Sequence, residues 1–582
     1  MADHAVVDER APLLGTVRGT SFPEPDLASP PVSPPILSPF TAFTPQSLAA
    51  HFRHWAHRAA NLSTAERAVI VTFASIFLAE IALGTATPAI SSMLESIVCR
   101  QRYGDAILIS HGTHGGSGSA IDPRCKASDV QGRLSHVLGW QAAFECLPNI
   151  LFSLPYGVLA DNLGRRPIML LAWTGLGLQL GWYLVVFYFR ATFPLWALWF
   201  TALWGAIGSF PSVGPAMIFT VVADVTPQAA RATAYFRLTA VFLVAELISS
   251  PLAGALLIAG GHWLPLLFGF ASAVMGGLVL LALPETLNFD TAAGKVVPRA
   301  AATTVASDTA DTSSATPAAG TPTTKRSIAS AWHSFVHLLR TDARATSLFI
   351  LHNRPLMFLM VPFVFSVVGR FVQNLLLQYA TKRYSWSWSQ AAFLLTIRST
   401  TNLVLCLVLL PLASAALVST PGRLGRLGRL AGTAGSPLRK DLLLARVSGA
   451  LLVLGAVLIA FAATPALLSA ALVVFSLGGG YSSVMRSLLN AFVEPHHLAM
   501  LNTLLGLLEF SGLMVAAPAL FAALQRGIAL GGVWTGLPFL ICAGMCLVST
   551  LVVVVFRVPP GMLEKGAADA GCSSPEASPG AV

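Results

Sequence analysis

Charged side chains are scarce. Asp, Glu, Lys and Arg make up 11% of the 582 residues, against roughly a quarter in an ordinary soluble domain. With 55% hydrophobic residues and a mean hydropathy of +0.70, the composition excludes a soluble globular protein and equally a disordered one. Also missing are a Walker-type phosphate loop, a nucleophile elbow and any cluster at metal-ligand spacing. The chain is therefore not expected to be an enzyme, to hold a cofactor or metal, or to drive primary transport alone. Of seven cysteines, Cys146, Cys406, Cys542 and Cys546 fall in apolar runs, where small-residue packing is their default role, and Cys572 lies in the C-terminal tail. A net charge of +10 would suit a nucleic-acid binder only if the basic residues gathered on a solvated surface. They are dispersed among apolar runs, and no nucleic-acid partner is expected.

Those runs are the main feature. Twelve charge-poor stretches, centred near 80, 147, 178, 209, 247, 274, 367, 401, 455, 479, 512 and 545, are each long enough to cross about 30 Å of hydrocarbon as a helix. Prolines 211, 215, 251, 362 and 518 fall inside them, as membrane helices tolerate. The first run begins only near Ala68, after a polar, proline-rich stretch without a cleavable signal, which predicts a cytosolic N-terminus. With both termini in the cytosol, 25 of the 36 Lys and Arg fall on the cytosolic side, 9 fall outside, and Arg370 and Arg398 lie within spans; this bias supports the topology. The predicted division is a tail over 1–66, a six-helix bundle over 67–287, a flexible linker over 288–350, a second bundle over 351–558 and a tail over 559–582. The linker is rich in Ala, Thr, Ser, Pro and Gly over 300–324. A triple Gly-Arg-Leu repeat over 422–430 reads as a solvated basic loop or a contact for anionic lipid headgroups.

Cys99 and Cys125 share the long outer loop between spans one and two. A disulfide there would be worth roughly 3 to 4 kcal/mol in the chain-entropy model and needs an oxidising exterior; two unpaired thiols are the alternative. On the opposite side, the loop after span two reads Gly157-Val158-Leu159-Ala160-Asp161-Asn162-Leu163-Gly164-Arg165-Arg166-Pro167. Its glycines let helix ends approach, while Asp161, Arg165 and Arg166 can bond across the bundle and to the end dipole of another helix, forming a conformational latch.

This loop resembles the signature of the major facilitator superfamily, and so do the twelve spans, the long central loop and Pro284-Glu285-Thr286-Leu287 after span six. The resemblance covers roughly 67 to 558. It implies an all-α membrane protein of two pseudo-symmetric six-helix bundles, with a solute site between them and alternating access by rocking. A degraded copy of the latch stands at Lys440-Asp441-Leu442-Leu443-Leu444-Ala445-Arg446. The cysteine-bearing first loop, Leu154-Pro155-Tyr156-Gly157, Ala223-Asp224-Val225-Thr226-Pro227 with Arg231, and Arg486-Ser487-Leu488 are similar to a fungal branch related to tetracycline-type and folate-type carriers. The chain departs from drug–proton antiporters in two places. Span four carries no arginine, and Ser250-Pro251-Leu252-Ala253-Gly254 stands where their Gly-Pro and Gly-Gly pairs would be.

Glu80, Glu145, Glu246, Arg370, Arg398 and Glu509 lie near span centres, and each would cost about 2.5 to 3.5 kcal/mol or more facing lipid. Most must face a cavity or one another. In the family fold spans one and seven, two and eight, and five and eleven are equivalent, and here both members of each pair carry a charge. The expectation is that Glu246 pairs with Arg398 between the halves and that Glu80 and Arg370 face the solute path. Glu80 or Glu145 is then the candidate proton carrier, static packing pairs being the alternative. Gln373, Asn374, Gln378 nearer the outer end, and Asn402 are further path candidates, although amides in spans also bridge helices.

In the N-terminal tail Glu9, Leu13 and Leu14 resemble an acidic dileucine signal for vesicle-coat adaptors. Vacuolar, endosomal, plasma and peroxisomal membranes all stay open. Ser29, Ser33 and Ser38 each precede proline as phosphorylation candidates, and Asn61-Leu62-Ser63 is a glycosylation pattern expected to go unused on the cytosolic side. The expected function is secondary active transport of a small organic solute, anionic or zwitterionic, coupled to protons, by a monomer embedded in lipid. A transporter-like sensor and a facilitative uniporter are the rivals.

Overall fold

The first spanning helix begins at a capping box: Glu66 N–H donates to Ser63 Oγ (3.2 Å), and Ser63 N–H donates to the Glu66 carboxylate (3.0 Å). Ser387 and Gln390 start a later helix in the same way, and Thr464 caps another ahead of Pro465. The computed structural model describes residues 63–104, 123–287, 289–290, 295–296, 354–418, 437–493 and 498–556. The sorting stretch, the three Ser-Pro sites, the Gly-Arg-Leu repeat, residues 300–324 and the tail beyond 556 lie outside the described residues.

Twelve segments among the described residues are long and apolar enough to span a membrane. The first half comprises α1 (Thr64–Tyr103), α2 (Ser128–Asp161), α3 (Arg165–Tyr188), α4 (Leu195–Val225), α5 (Thr233–Gly260) and α6 (Trp263–Leu280). The second comprises α7 (Leu356–Arg383), α8 (Trp388–Leu417), α9 (Leu438–Phe461), α10 (Pro465–Ala491), α11 (Leu504–Leu530) and α12 (Gly532–Val555). The chain is thus a multi-pass membrane protein. Its outer surface is apolar, with Leu203, Ile258, Val515 and Val555 each more than 60% exposed. Beyond the expected prolines, Pro88, Pro148 and Pro155 also lie inside helices. In the stretch read as linker, β1 (Phe289–Asp290) and β2 (Lys295–Val296) pair antiparallel.

Several spans are broken. In α4 the helix is interrupted ahead of Phe210, where Gly208 (φ +76°) and Ser209 (φ +44°) are left-handed. In α10 a 3-10 turn over Gly478–Gly480 interrupts the helix at the matching depth. In α7 the helix tightens to a 3-10 turn over Phe371–Leu375, and α8 carries a π-turn over Leu405–Leu409. Irregular backbone at membrane depth survives where protein or a cavity surrounds it, and π-turns cluster at functional sites.

The halves meet along α2 with α11 and α5 with α8. One end of the bundle carries the Cys99–Cys125 disulfide (Cα–Cα 5.1 Å) and is called the disulfide face; the other carries the Gly157–Arg166 loop and is called the motif face. At Gly139 of α2 a Cβ would lie 2.8 Å from Phe521 of α11, and at Gly254 of α5 one would lie 3.0 Å from Phe393 of α8. Gly157 is eighteen residues past Gly139, about five turns, hence on the same face of α2. A Cβ there meets nothing within 4 Å, nor does one at Gly506 of α11. The halves therefore close toward the disulfide face and stand apart toward the motif face.

The kink in α4 yields a test. A Cβ on Gly208 would sit 2.4 Å from the Ala172 backbone in addition to the unfavourable φ. Gly208→Ala is expected to cost roughly 1 to 3 kcal/mol, read as a lower melting temperature of the detergent-solubilised protein. An unchanged melting temperature would show that α3 and α4 do not need this approach.

Candidate functional site

At the motif face the loop folds around one carboxylate. Glu285, just past α6, accepts from the backbone N–H of Arg165 (2.8 Å), Arg166 (3.2 Å), Thr286 (3.0 Å) and Leu287 (3.1 Å). It thereby satisfies the free donors at the start of α3 and complements their dipole. Gly164 makes this possible: its φ is +110°, and a Cβ there would lie 2.4 Å from Glu285 Oε2. Arg165 bonds Asp161 (2.5 Å) and reaches Asp224 at the end of α4 (3.3 Å). Arg166 donates to the Leu281 carbonyl at the end of α6 (2.7 Å).

The second half repeats part of this. Arg446 donates to the carbonyls of Val553 (3.3 Å), Val554 (3.0 Å) and Phe556 (3.0 Å) at the end of α12, as Arg166 does at the end of α6. Asp441 pairs with Lys440 (3.0 Å) and accepts from Ser487 (2.9 Å). These bonds run within each half rather than across the bundle: the latch residues brace single halves in this conformation. Asp224 and Glu285 stood in the quoted motifs, yet their hydrogen-bonding parts were invisible in sequence because their partners are distant in the chain.

Deeper in, charge crosses between the halves. Arg398 of α8 bonds Glu246 of α5 through Nη2 and donates through Nη1 to Gln373 Oε1 of α7 (2.8 Å). The 3-10 turn of α7 carries Gln373. Arg398 and Glu246 are each roughly a quarter exposed, and Arg398 Nε is buried without a partner. Glu80 of α1 lies within electrostatic range of Glu246 and has no hydrogen-bond or ion-pair partner among the described residues. Asn402 stands one turn past Arg398, and its Oδ1 would be 3.5 Å from a Cβ on Gly479, at the break of α10. Asn374 is exposed. Arg370 ends the regular helix of α7, and its side chain lies outside the described residues.

Two carboxylates sit apart from this group. Glu145 accepts from Gln141 and Tyr183, each at 2.9 Å, and Gln141 also bonds Thr201. It is held by residues of α2 and α3, with α4 joined through Gln141, all within the first half. Glu509 of α11 pairs with Arg486 of α10 (2.9 Å), whose guanidinium lies 5.7 Å from the Phe363 ring. Arg486 belongs to the Arg486-Ser487-Leu488 motif quoted above. It lines a polar cavity of about 510 Å³ with Ser482, Ser483, Ser487 and Asn490. A larger apolar recess of about 980 Å³ between α3 and α6 bears no charge and opens on the lipid-facing surface. No group of three His, Cys, Asp or Glu that could hold a metal occurs among the described residues.

Twelve spanning helices in two matched halves, with a charge pair between the halves and a brace at one end of each, have the build of a secondary transporter. The chain belongs to the Major Facilitator Superfamily, whose profile matches residues 72–439. It is 29% identical over 475 residues to the MFS efflux pump atnC of Emericella nidulans, covering 80% of this chain and 83% of that one. To the efflux pump ustT of Aspergillus flavus it is 29% identical over 443 residues, 76% and 78% of the two chains. To the MFS-type transporter avaK of Aspergillus versicolor it is 28% identical over 479 residues, 82% and 90%. These place it in the fungal branch of the family. Among solved structures, the nucleoside transporter NupG matches with a TM-score of 0.53 at 13% identity, covering 85% of this chain and 100% of that one. A D-xylose-proton symporter matches at 0.51 and 14%, covering 86% and 98%. Both likenesses bear on the fold alone.

The brace is testable apart from transport. Glu285→Ala leaves four backbone donors without their acceptor and is expected to lower stability by about 2 kcal/mol, with a lower melting temperature. A melting temperature equal to the parent's would mean that water replaces the carboxylate.

Proposed function

We propose that the protein exports a small fungal secondary metabolite in exchange for protons, by alternating access. The observation that carries this reading is the Glu246–Arg398 pair joining the two halves, with Glu80 beside it and unpartnered. The curated relatives named as efflux pumps support the direction. Placing the disulfide face outside and both termini in the cytosol agrees with the dispersal of Lys and Arg and with the oxidising exterior that a disulfide needs. On that placement the structure is open to the cytosol.

The chemistry follows from the low dielectric. While Arg398 sits against Glu246, the guanidinium balances the charge of the acid. When rocking withdraws α8 and opens the disulfide face, Glu246 and Glu80 are left in one half without Arg398, and the proton comes from the outer side. Like charges so close do not both stay ionised, and one carboxylate takes a proton. Arg486 and the serines beside it form a polar vestibule on the cytosolic side where a solute can first lodge. Asp161, Arg165 and Glu285 brace the first half so that it moves as a rigid unit.

The test is transport in proteoliposomes against a panel of fungal metabolites, with and without a pH gradient. Glu246→Gln and Glu80→Gln are each expected to abolish gradient-driven accumulation, falling by tenfold or more, while exchange of solute without a gradient persists. Arg398→Lys, which keeps the charge but loses the fork, should raise the apparent KM more than it lowers kcat. Gradient-driven accumulation at parental rates in both Gln variants would overturn the proton assignment. Parental transport at zero gradient with no gradient effect would make the protein a uniporter.

A further inference from the structure

A second buried charge pair, outside the midplane group, lies at the disulfide face. Glu95 of α1 is 5% exposed and Lys126, in the 3-10 turn Pro123–Lys126, is 6% exposed. Lys126 Nζ contacts both carboxylate oxygens, at 2.7 and 3.0 Å. Gln131 Nε2 donates to the same carboxylate and also to the Cys125 carbonyl (3.1 Å). Burying two charges costs several kcal/mol per ion unless the geometry and further hydrogen bonds compensate, and here every partner of the pair within the first half is in place. Burial pushes the Lys126 ammonium below its ordinary range while Glu95 pulls it back up.

The second half closes over this pair. Trp388, the first residue of α8 and 4% exposed, donates its indole N–H to Glu95 Oε2 and offers its ring to Lys126 Nζ at 5.3 Å. Lys382 at the end of α7 donates to the Lys126 carbonyl. Gln378 of α7 donates to the Gln131 carbonyl and to Ser135 Oγ, both at 2.9 Å. All these bonds cross between halves, and all sit at the end where the halves are shut. The placement of the pair follows from the disulfide: Glu95 is one turn before Cys99, and Lys126 adjoins Cys125. The Ser387 and Gln390 capping box in turn fixes the backbone that presents Trp388.

We propose that Glu95 and Lys126 are a preassembled receptor for the second half, that Trp388, Gln378 and Lys382 lock onto it to hold the disulfide face closed, and that the Cys99–Cys125 bond is the positioning element of this lock. Opening this face breaks the bonds of Trp388, Gln378 and Lys382 but leaves the Glu95–Lys126 pair intact within the first half. The cross-link therefore biases the balance between the two access states, in addition to any effect on loop entropy. The proposal rests on the alternating-access reading above.

The test uses full-length protein in liposomes with spin labels at Arg133 of α2 and Arg526 of α11, both exposed at this face, after replacing every native cysteine except Cys99 and Cys125. Pulsed dipolar spectroscopy then reads the populations of the short, closed distance and the long, open one. Trp388→Phe keeps the ring and loses only the donor. It is expected to raise the open-to-closed ratio by about tenfold or more, as befits the loss of a hydrogen bond to a charged group. Cys99→Ser/Cys125→Ser should shift the ratio the same way, and so should Glu95→Gln. The double variant Glu95→Gln/Lys126→Met, which strands no charge, should recover part of the closed population lost by Glu95→Gln alone. If the parent samples both distances and neither Trp388→Phe nor the cysteine variant moves their ratio, the lock is wrong and alternation stands. If the parent holds one distance in every condition, the lock and the proposed function fail together.

Discussion

A charge inside hydrocarbon must find an opposite charge, a set of hydrogen bonds or a wet cavity, and the organisation of this protein depends on how each of its charges meets that demand. The solutions fall into two kinds. Pairs confined to one half, such as Lys126 with Glu95 or Arg486 with Glu509, travel with their helices and resist no rearrangement of the halves. The bonds that join halves, Arg398 to Glu246 and Trp388 to Glu95, are remade or lost whenever the halves move. Their free energy depends on conformation, and they are where proton or solute binding can act on the equilibrium.

The pseudo-symmetry of the halves extends beyond helix count to their irregularities. The breaks in α4 and α10 fall at matching depths, and Arg166 and Arg446 each bind the terminal carbonyls of the sixth helix of their half. What differs is the charge. The first half keeps an acid triad of Asp161, Asp224 and Glu285 around its brace, where the second relies on Asp441 with Lys440 and Ser487. Among the described residues the brace of the first half is the more acidic of the two at the motif face.

The spans were legible because hydrocarbon thickness imposes a length and a composition that no turn signal can mimic. The Glu246–Arg398 pair was legible because opposite charges near the centres of adjoining helices have few other places to go. The partners of Glu145 were not legible because sequence shows the depth of a residue but not which neighbour its side of the helix meets; Gln141 and Tyr183 satisfy it within one half. Glu95 and Lys126 went unnoticed because both lie near helix ends, where charges pass for solvated ones. The disulfide was the available signal, since it places the turns on either side of it in contact. The ion pair of Arg486 with Glu509 was hidden for the same reason. Ten or so ångströms of depth separate a charge that sets topology from one that lines a path, and hydropathy does not resolve that distance.

The geometry around Arg398 also constrains what coupling can mean. Its guanidinium holds Glu246 and Gln373 with two nitrogens and leaves Nε buried and unpartnered. An anionic solute that reaches it competes with Glu246 for the same fork, so solute binding and ionisation of the acid oppose each other. A second carboxylate, Glu80, lies within electrostatic range of Glu246. For exchange rather than co-transport, the two ligands must then part on opposite faces. On the proposed reading the acid takes its proton from the outer side, once the solute has left and α8 is withdrawn, and releases it on the inner side when Arg398 returns to Glu246. That return is the closed-disulfide-face arrangement of the structure, in which the arginine is on the acid and the motif face stands apart.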